Sequence, residues 1–334
     1  MKRILLIGSG WRAEMWATLI DKLPGFFPAA VVCRSEEKAR RFSSLGFTAV
    51  KSYKEGLDRG VDFILVCVSK QNAFSVARFF EDLGFSVLCE TPAGNTEEEF
   101  AVLEKSKKIF FAEQYPLKPF FASLKKISSE GCLGNVHTLF LSCCHDYHAV
   151  AVMRHLLDTG DRIPEVSALS FGDNYSLNRD RRGGISPEIR QNRRVIAFLD
   201  FGEKRGIYDF SKAQYFSSIR RPRVSLQGEK GEISESGGCL RRGDSDVPCS
   251  LDFVYEGRGA SLCPPDLSAV YFLGKKVYEN PWKGLRLSEE EIAMAECLER
   301  FSRGKGYPAG EGVIDARIGA KLGLCGQGTQ AGQE

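Results

Sequence analysis

Long apolar runs are missing from this chain of 334 residues. None approaches the roughly 18 residues that cross a bilayer, so no membrane span is expected. The first residues read as a strand rather than as a charged leader followed by an apolar stretch, and the expected compartment is the cytoplasm. An excess of charge of one sign is also missing: 46 Lys and Arg face 43 Asp and Glu, a net charge of +3, which argues against nucleic acid or a membrane surface as principal partner. Eleven cysteines are present, but their number is odd and none is spaced C-x-x-C, which argues against a disulfide framework or a zinc site. Most of them, such as Cys33, Cys67 and Cys89, sit in apolar strand runs and read as buried reduced thiols. The one cluster to weigh as a metal site is Cys143-Cys144 with His145 and His148. Alternate residues of a strand face opposite sides, so these four do not converge without a bend, and no metal is expected.

What the chain does have stands at its start. Residues 1–13 read MKRILLIGSGWRA, a short apolar strand followed by Gly8-Ser9-Gly10 and, three residues on, Ala13. Each small residue has a steric role in a dinucleotide-binding turn. Gly8 permits the tight turn, Gly10 lets the backbone approach a pyrophosphate, and Ala13 lets the helix lie close to the sheet at the positive end of its dipole. An apolar stripe (Met15, Trp16, Leu19, Ile20) and a second strand at 29–33 complete a βαβ unit. Trp11 and Arg12, directly after Gly10, are expected over the phosphates or the nicotinamide side of the cofactor.

The end of the second strand selects the cofactor. An Asp or Glu there would bond the ribose 2′-hydroxyl and repel a 2′-phosphate. Arg34-Ser35 stands there instead, with Lys38, Arg40 and Arg41 following, so NADP(H) is expected over NAD(H), which stays possible. The bland alternative is a solvated basic helix face.

An α/β rhythm runs to about residue 115, with apolar strands at 61–69, 85–89 and 109–112 and helices at 71–83 and 96–107, the latter capped by Asn95-Thr96. Right-handed crossovers predict one doubly wound parallel sheet. After a connecting helix at 116–130 come strand-like stretches at 136–143, 166–171, 194–201, 205–210, 223–227 and 251–255, joined by turns rich in Gly, Asn and Asp. These predict an open, mainly antiparallel sheet, closed by helices at 289–301 and 313–322. The expected division is a Rossmann domain over 1–117, an α+β substrate and oligomerisation domain over 118–325, and a polar flexible tail over 326–334.

Gly8-Ser9-Gly10, the VDFILVCVS strand, Cys89-Glu90-Thr91-Pro92, Ala112-Glu113-Gln114-Tyr115, Leu133-Gly134-Asn135-Val136 and His148 with Arg154 follow one another in an order that resembles the glucose-fructose oxidoreductase and inositol dehydrogenase (Gfo/Idh/MocA) family. Leu287 to Ala293 and Asp315-Ala316-Arg317 extend the resemblance nearly to the end. It implies an NAD(P)-dependent oxidoreductase acting on a sugar, polyol or related small carbonyl or hydroxyl compound, with the active site between the domains. It also implies a homodimer or homotetramer formed through the carboxy-terminal sheet. By the same resemblance Ser69, Glu90, Pro92 and Gln114 join Gly8, Ser9, Gly10, Trp11, Arg12, Arg34 and Ser35 as cofactor-binding residues.

The chain departs from the family at the proton relay. The usual Glu-Lys-Pro reads Glu90-Thr91-Pro92, and Thr91 donates a hydrogen bond but does not titrate near neutrality. If His148 is the family's catalytic His, the usual Asp four residues before it is Cys144. The expected catalytic set is His148, with Tyr147 and Thr91 and with His145 or Asp146 as nearby help, whereas His155 reads as packing. Replacement substrate contacts are expected from 174–184 or from Arg220-Arg221-Pro222-Arg223. The losses keep open two other readings: a non-catalytic nicotinamide-binding sensor or partner, and a glycosidase-like enzyme with tightly held NAD.

Overall fold

The computed structural model describes residues 1–176, 184–185, 187–217, 219–257 and 264–324. The chain forms two compact units, and neither is a single stretch of sequence. The first takes Met1–Lys118, Glu256–Leu267 and Asn280–Val313; the second takes Pro119–Tyr255, Ser268–Glu279 and Ile314–Glu334. The sequence reading gives 118–325 to one domain, whereas 256–267 and 280–313 join the first unit. Helix packing, which spacing along the chain does not reveal, decides that difference.

In the first unit the chain alternates β1 (Lys2–Ile7), α1 (Trp11–Lys22), β2 (Phe26–Val32), α2 (Glu36–Ser43), β3 (Thr48–Val50), α3 (Tyr53–Leu57), β4 (Phe63–Val66), α4 (Lys70–Asp82), β5 (Ser86–Cys89), α5 (Glu97–Lys105) and β6 (Ile109–Phe111). These six strands are parallel in the order β6-β5-β4-β1-β2-β3. That is the doubly wound order whose ligand crevice opens between β1 and β4, where the winding direction reverses. The central strands are buried on both faces, with Ile4 to Ile7 and Phe63 to Val66 at 6% exposure or less, which is why they read as unbroken apolar runs. Ser35, Ser52 and Thr96 cap α2, α3 and α5 by accepting the backbone N–H three residues on.

The second unit is built on an eight-stranded sheet. Its helices α6 (Pro119–Ser129) and α7 (Asp146–Leu157) flank β7 (Val136–Ser142) in sequence, and β8 (Glu165–Ser176), β9 (Ile189–Asp200), β10 (Arg205–Ser211), β11 (Arg223–Gly228), β12 (Gly231–Ser234), β13 (Gly237–Arg242) and β14 (Ser245–Cys249) follow. The order is β14-β13-β12-β11-β7-β10-β9-β8, antiparallel throughout except for the parallel β7–β10 pair. A further sheet contains β15 (Leu251–Glu256), β16 (Asp266–Phe272) and β17 (Lys275–Glu279). Helix α8 (Glu289–Ser302) begins with a Ser288–Glu291 capping box, and β18 (Tyr307–Pro308) pairs antiparallel with β6. Helix α9 (Ala309–Leu324) ends the described chain; the tail over 326–334 lies outside the described residues. The mixed α/β class, a Rossmann sheet followed by a mainly antiparallel one, is as the sequence predicts.

Candidate functional site

The Gly8 turn follows β1, beside β4. Gly8 has φ +121°, a conformation that L side chains rarely adopt, and a Cβ there would lie 2.2 Å from the Cys67 carbonyl oxygen. The sheet's switch point is therefore closed to any side chain at this position. Gly10 caps α1 with ordinary dihedrals (φ −84°), and a Cβ there would meet nothing within 4 Å. Its small size answers to no neighbour in the protein. It leaves free space in front of the first N–H groups of α1, the cradle that a pyrophosphate fills. Ala13, one turn on, is fully buried. Ser9 is half-buried, Trp11 is 52% exposed, and Ser69, at the start of α4, is exposed.

Arg34 leaves β2 exposed, with no hydrogen bond or ion pair among the described residues, while Ser35 is committed to α2 through its bond from the Lys38 N–H. Arg12, expected over the phosphates or the nicotinamide side, is engaged within the protein: its Nε donates to Glu90 Oε1 at 2.7 Å, and its Nη1 lies 3.5 Å from Glu290 Oε1. Burial lowers the Arg12 pKa, but the charges of Glu90 and Glu290 outweigh it and hold the cation. Arg12 binds the turn to its own unit.

That ion pair is part of a partly buried network that the sequence reading does not anticipate. Trp16 donates its indole N–H to Glu90, Gln114 donates Nε2 to Glu290 Oε1 at 2.9 Å, and Lys118 Nζ lies 2.7 Å from Glu290 Oε2. Burial raises the Glu290 pKa, yet Lys118 and Arg12 bring it below the ordinary value. Gln114 thus bonds to α8, and its buried Oε1 has no hydrogen-bond partner among the described residues. Glu113 beside it is 3% exposed, and Thr91 and Pro92 are half-buried after β5. The signals for Glu113 and Glu290 were the AEQY and LSEEEIA stretches, which carried the resemblance but no assigned role.

Burial pushes the Glu113 carboxyl up to about 8; the Tyr115 N–H opposes this, and the Glu90 and Glu290 charges add to it. A carboxyl whose folded pKa lies above its unfolded value favours folding while it is protonated, and that contribution fades as pH rises from the unfolded value through 8. The Glu113→Gln substitution keeps an acceptor for Tyr115 and removes the ionisation. The variant is therefore expected to melt near the wild type at pH 5 and above it at pH 9, by a difference of roughly 4 kcal/mol at most. Thermal melts across that range check it; a wild-type advantage that grows with pH would refute it.

In the second unit His145 caps α7, and the helix opens with Asp146 at φ +40°. His145 Nδ1 lies 2.8 Å from the Tyr215 hydroxyl, and that oxygen also accepts the His145 backbone N–H at 3.0 Å. The Tyr208 hydroxyl accepts the Asp146 N–H at 3.2 Å. The rings of Tyr147 and His148 lie 4.3 Å apart, and those of His145 and His148 5.0 Å. His148 is 7% exposed and His145 is half-buried. The structure thus brings Tyr147, His148 and His145 together and adds Tyr215 and Tyr208, which sequence spacing does not reveal. Thr91, the third expected catalytic residue, belongs to the other unit.

Cys144, at the position of the missing Asp, is fully buried, and its Sγ lies 3.7 Å from that of Cys143. Among the described residues no three His, Cys, Asp or Glu side chains are grouped to hold a metal ion. Of the expected substrate contacts, 177–183 lies outside the described residues. Arg223 is bonded to Asp209 at 2.7 Å and Arg220 lies over the Tyr175 ring at 4.8 Å, so both are engaged within the sheet.

The strand order and the Gly8 turn define the class, a Rossmann fold of the dinucleotide-binding type. Residues 2–114 match the model of GFO_IDH_MocA, the oxidoreductase family with an NAD-binding Rossmann fold, the family that the motifs of this segment resemble. No curated protein matches the chain in sequence. Among solved structures, an oxidoreductase from Agrobacterium radiobacter in complex with NAD+, L-tartaric acid and magnesium is similar at 15% identity and TM-score 0.67, with 96% of this chain and 94% of that one covered. A levoglucosan dehydrogenase bound to NADH and levoglucosan is similar at 13% and 0.68, covering 98% and 97%. A myo-inositol dehydrogenase from Corynebacterium glutamicum is similar at 17% and 0.66, also covering 98% and 97%. At such identities these likenesses establish a shared fold. Among the described residues no helix is long and apolar enough to cross a membrane.

Proposed function

We propose that the protein is an NAD(P)-dependent oxidoreductase that transfers hydride to or from a small carbonyl or hydroxyl compound, a sugar, polyol or related metabolite. The observation that carries this reading is the Gly8–Gly10 turn, sterically closed on the protein side at Gly8 and open at Gly10 before the N-terminus of α1. The bound nicotinamide would supply the hydride chemistry. The chain would hold the pyrophosphate on the α1 backbone N–H groups, leave room for it at Gly10, and offer acid–base and hydrogen-bonding groups from the His145–His148 segment. The dehydrogenases and NAD(H) complexes among its structural neighbours support the same class. We further propose a cytoplasmic protein that self-associates through the carboxy-terminal sheet, where Leu169, Phe171, Ile196 and Phe198 are exposed.

NADP(H) is the preferred cofactor in this proposal, on the strength of an exposed Arg34 at the end of β2 with no hydrogen bond or ion pair among the described residues. Calorimetric titration with NADPH and NADH tests both statements. NADPH is expected to bind more tightly, and Arg34→Ala to weaken NADPH about 10- to 100-fold, the worth of a charge-assisted phosphate contact, while NADH changes little. Equal losses would refute the 2′-phosphate assignment, and no heat from either nucleotide would refute the oxidoreductase. Thr91 and Cys144, standing for the usual Lys and Asp, favour the second reading, a nicotinamide-binding protein without net turnover. Tight retention of cofactor with no consumption across a panel of carbonyl compounds would select it.

A further inference from the structure

Helix α8 stands late in the chain, yet a carboxylate in its first turn reaches the residues around the dinucleotide turn of the same unit. Glu290 Oε1 accepts from Gln114 Nε2 at 2.9 Å and lies 3.5 Å from Arg12 Nη1, while its Oε2 lies 2.7 Å from Lys118 Nζ. Arg12 is held from a second side, where its Nε donates to Glu90 Oε1 at 2.7 Å and the Trp16 indole N–H donates to the same oxygen. Two cations, Arg12 and Lys118, thus face two carboxylates, Glu90 and Glu290, and the formal charges cancel. Burial works against both ions at the centre, yet the charges of Glu90 and Glu290 keep the Arg12 cation, and those of Lys118 and Arg12 hold Glu290 below its ordinary value.

Arg12 is also the second residue of α1. The first bond of that helix runs from the Glu14 N–H to the Gly10 carbonyl at 3.0 Å, so the Arg12 and Ala13 N–H groups come before its ladder begins, in the cradle proposed for the diphosphate. A guanidinium carried by a residue of the cradle stands within about a Debye length, roughly 10 Å at 0.1 M salt, of a diphosphate bound there, and each of the two phosphates is negatively charged. Uncancelled, it would draw every dinucleotide tightly. We propose that Glu290 is a positioning residue that tempers cofactor affinity: together with Glu90 it holds the Arg12 guanidinium and cancels its charge, so that the α1 N–H groups bind the diphosphate with no net cation beside them. The proposal rests on the oxidoreductase reading, and it separates two tasks. The balanced network treats NADPH and NADH alike, since both carry the diphosphate, and the choice between them falls to Arg34.

Calorimetric titration with NADPH and NADH at 0.1 M and 1 M salt tests the sign of the effect. Glu290→Gln keeps the size of the side chain and leaves the network with one net positive charge. Both nucleotides are therefore expected to bind about three- to tenfold more tightly at 0.1 M, the worth of one charge acting on a dianion at that range, with the gain gone at 1 M, where the Debye length is about 3 Å. Lys118→Met leaves one net negative charge and is expected to weaken both by a similar factor, again only at the lower salt. The two variants test the same charge from opposite sides, so either decides if the other fails to fold. Glu290→Asp retains the charge and is expected to keep the wild-type salt dependence. Glu291→Gln is the control: it makes the same change in total charge one residue on, but the Glu291 carboxylate pairs with Lys22 at 3.0 Å, at the other end of α1, and Gln preserves the Ser288 capping box, so no tightening is expected. A Glu290→Gln protein that binds as the wild type does, or more weakly by the same factor at both salt concentrations as a merely structural role requires, would overturn the proposal. Equal tightening by Glu291→Gln, or a tighter Lys118→Met protein, would do the same. Wild-type protein that binds neither nucleotide sinks the oxidoreductase reading itself, whereas wild-type binding without the expected reversal of sign sinks only the role of Glu290.

Discussion

The Gly8→Ala substitution is expected to abolish cofactor binding and also lower the melting temperature, while Gly10→Ala is expected to do the first without the second. The two glycines differ in what surrounds them. At Gly8 the new methyl would lie 2.2 Å from the Cys67 carbonyl oxygen, on a backbone already at φ +121°. Both partners are backbone at the ends of adjacent central strands, so relief requires β1 and β4 to part at the crevice. The left-handed strain alone costs about 1–3 kcal/mol. At Gly10 the dihedrals are ordinary and, its chain neighbours aside, no atom of the described residues lies within 4 Å of an added Cβ, so the folded protein accommodates the methyl. The methyl would instead enter the space a pyrophosphate needs at the α1 N–H groups. Thermal melts paired with NADPH titration of both variants check this. A Gly10→Ala protein that binds NADPH as the wild type does would show that the turn holds no diphosphate, whatever its resemblance.

The elements legible in the sequence are those whose residues answer to local constraints. Strands β1 and β4 were readable because a parallel strand buried on both faces must be apolar throughout, and Thr96 was readable as a cap because its bond reaches only to Glu99. Strands β12, β13 and β14 were not, because Gly231–Ser234, Gly237–Arg242 and Ser245–Cys249 are short, polar and half exposed, and their pairing follows from neighbours rather than from their own pattern. The site divides in the same way. Gly8 and Gly10 declare themselves by spacing. The partners of Arg12 and His145 do not, since Glu290 stands 278 residues from Arg12 and Tyr215 stands 70 from His145. The position of Arg12 after Gly10 suggested the phosphates or the nicotinamide side; only the fold reveals two carboxylates beside it. Arg34 has no such carboxylate partner among the described residues.

The Asp315→Ala substitution is expected to destabilise the second unit by about 3–5 kcal/mol, the largest loss foreseen for a single side chain outside the cofactor turn. Asp315 and Arg154 were two separate motifs in the sequence, and the structure joins them: Arg154 Nη1 donates to Asp315 Oδ1 at 2.7 Å, with the two side chains only 5% and 2% exposed. Arg154 also donates Nε and Nη2 to the Gly160 carbonyl at 2.8 and 2.7 Å, tying α9, α7 and the turn after α7 together. Removing the carboxylate leaves a buried guanidinium without its Asp315 partner, and it cannot shed its proton to escape. The double variant Arg154→Met with Asp315→Leu removes both charges and fills most of the volume, so it is expected to recover much of the loss, because a buried pair contributes less than its half-broken form costs. Urea unfolding of the single and double variants measures the difference. A single variant within 1 kcal/mol of the wild type, on the order of an exposed pair's worth, would show that Arg154 reaches solvent or another acceptor when Asp315 is gone.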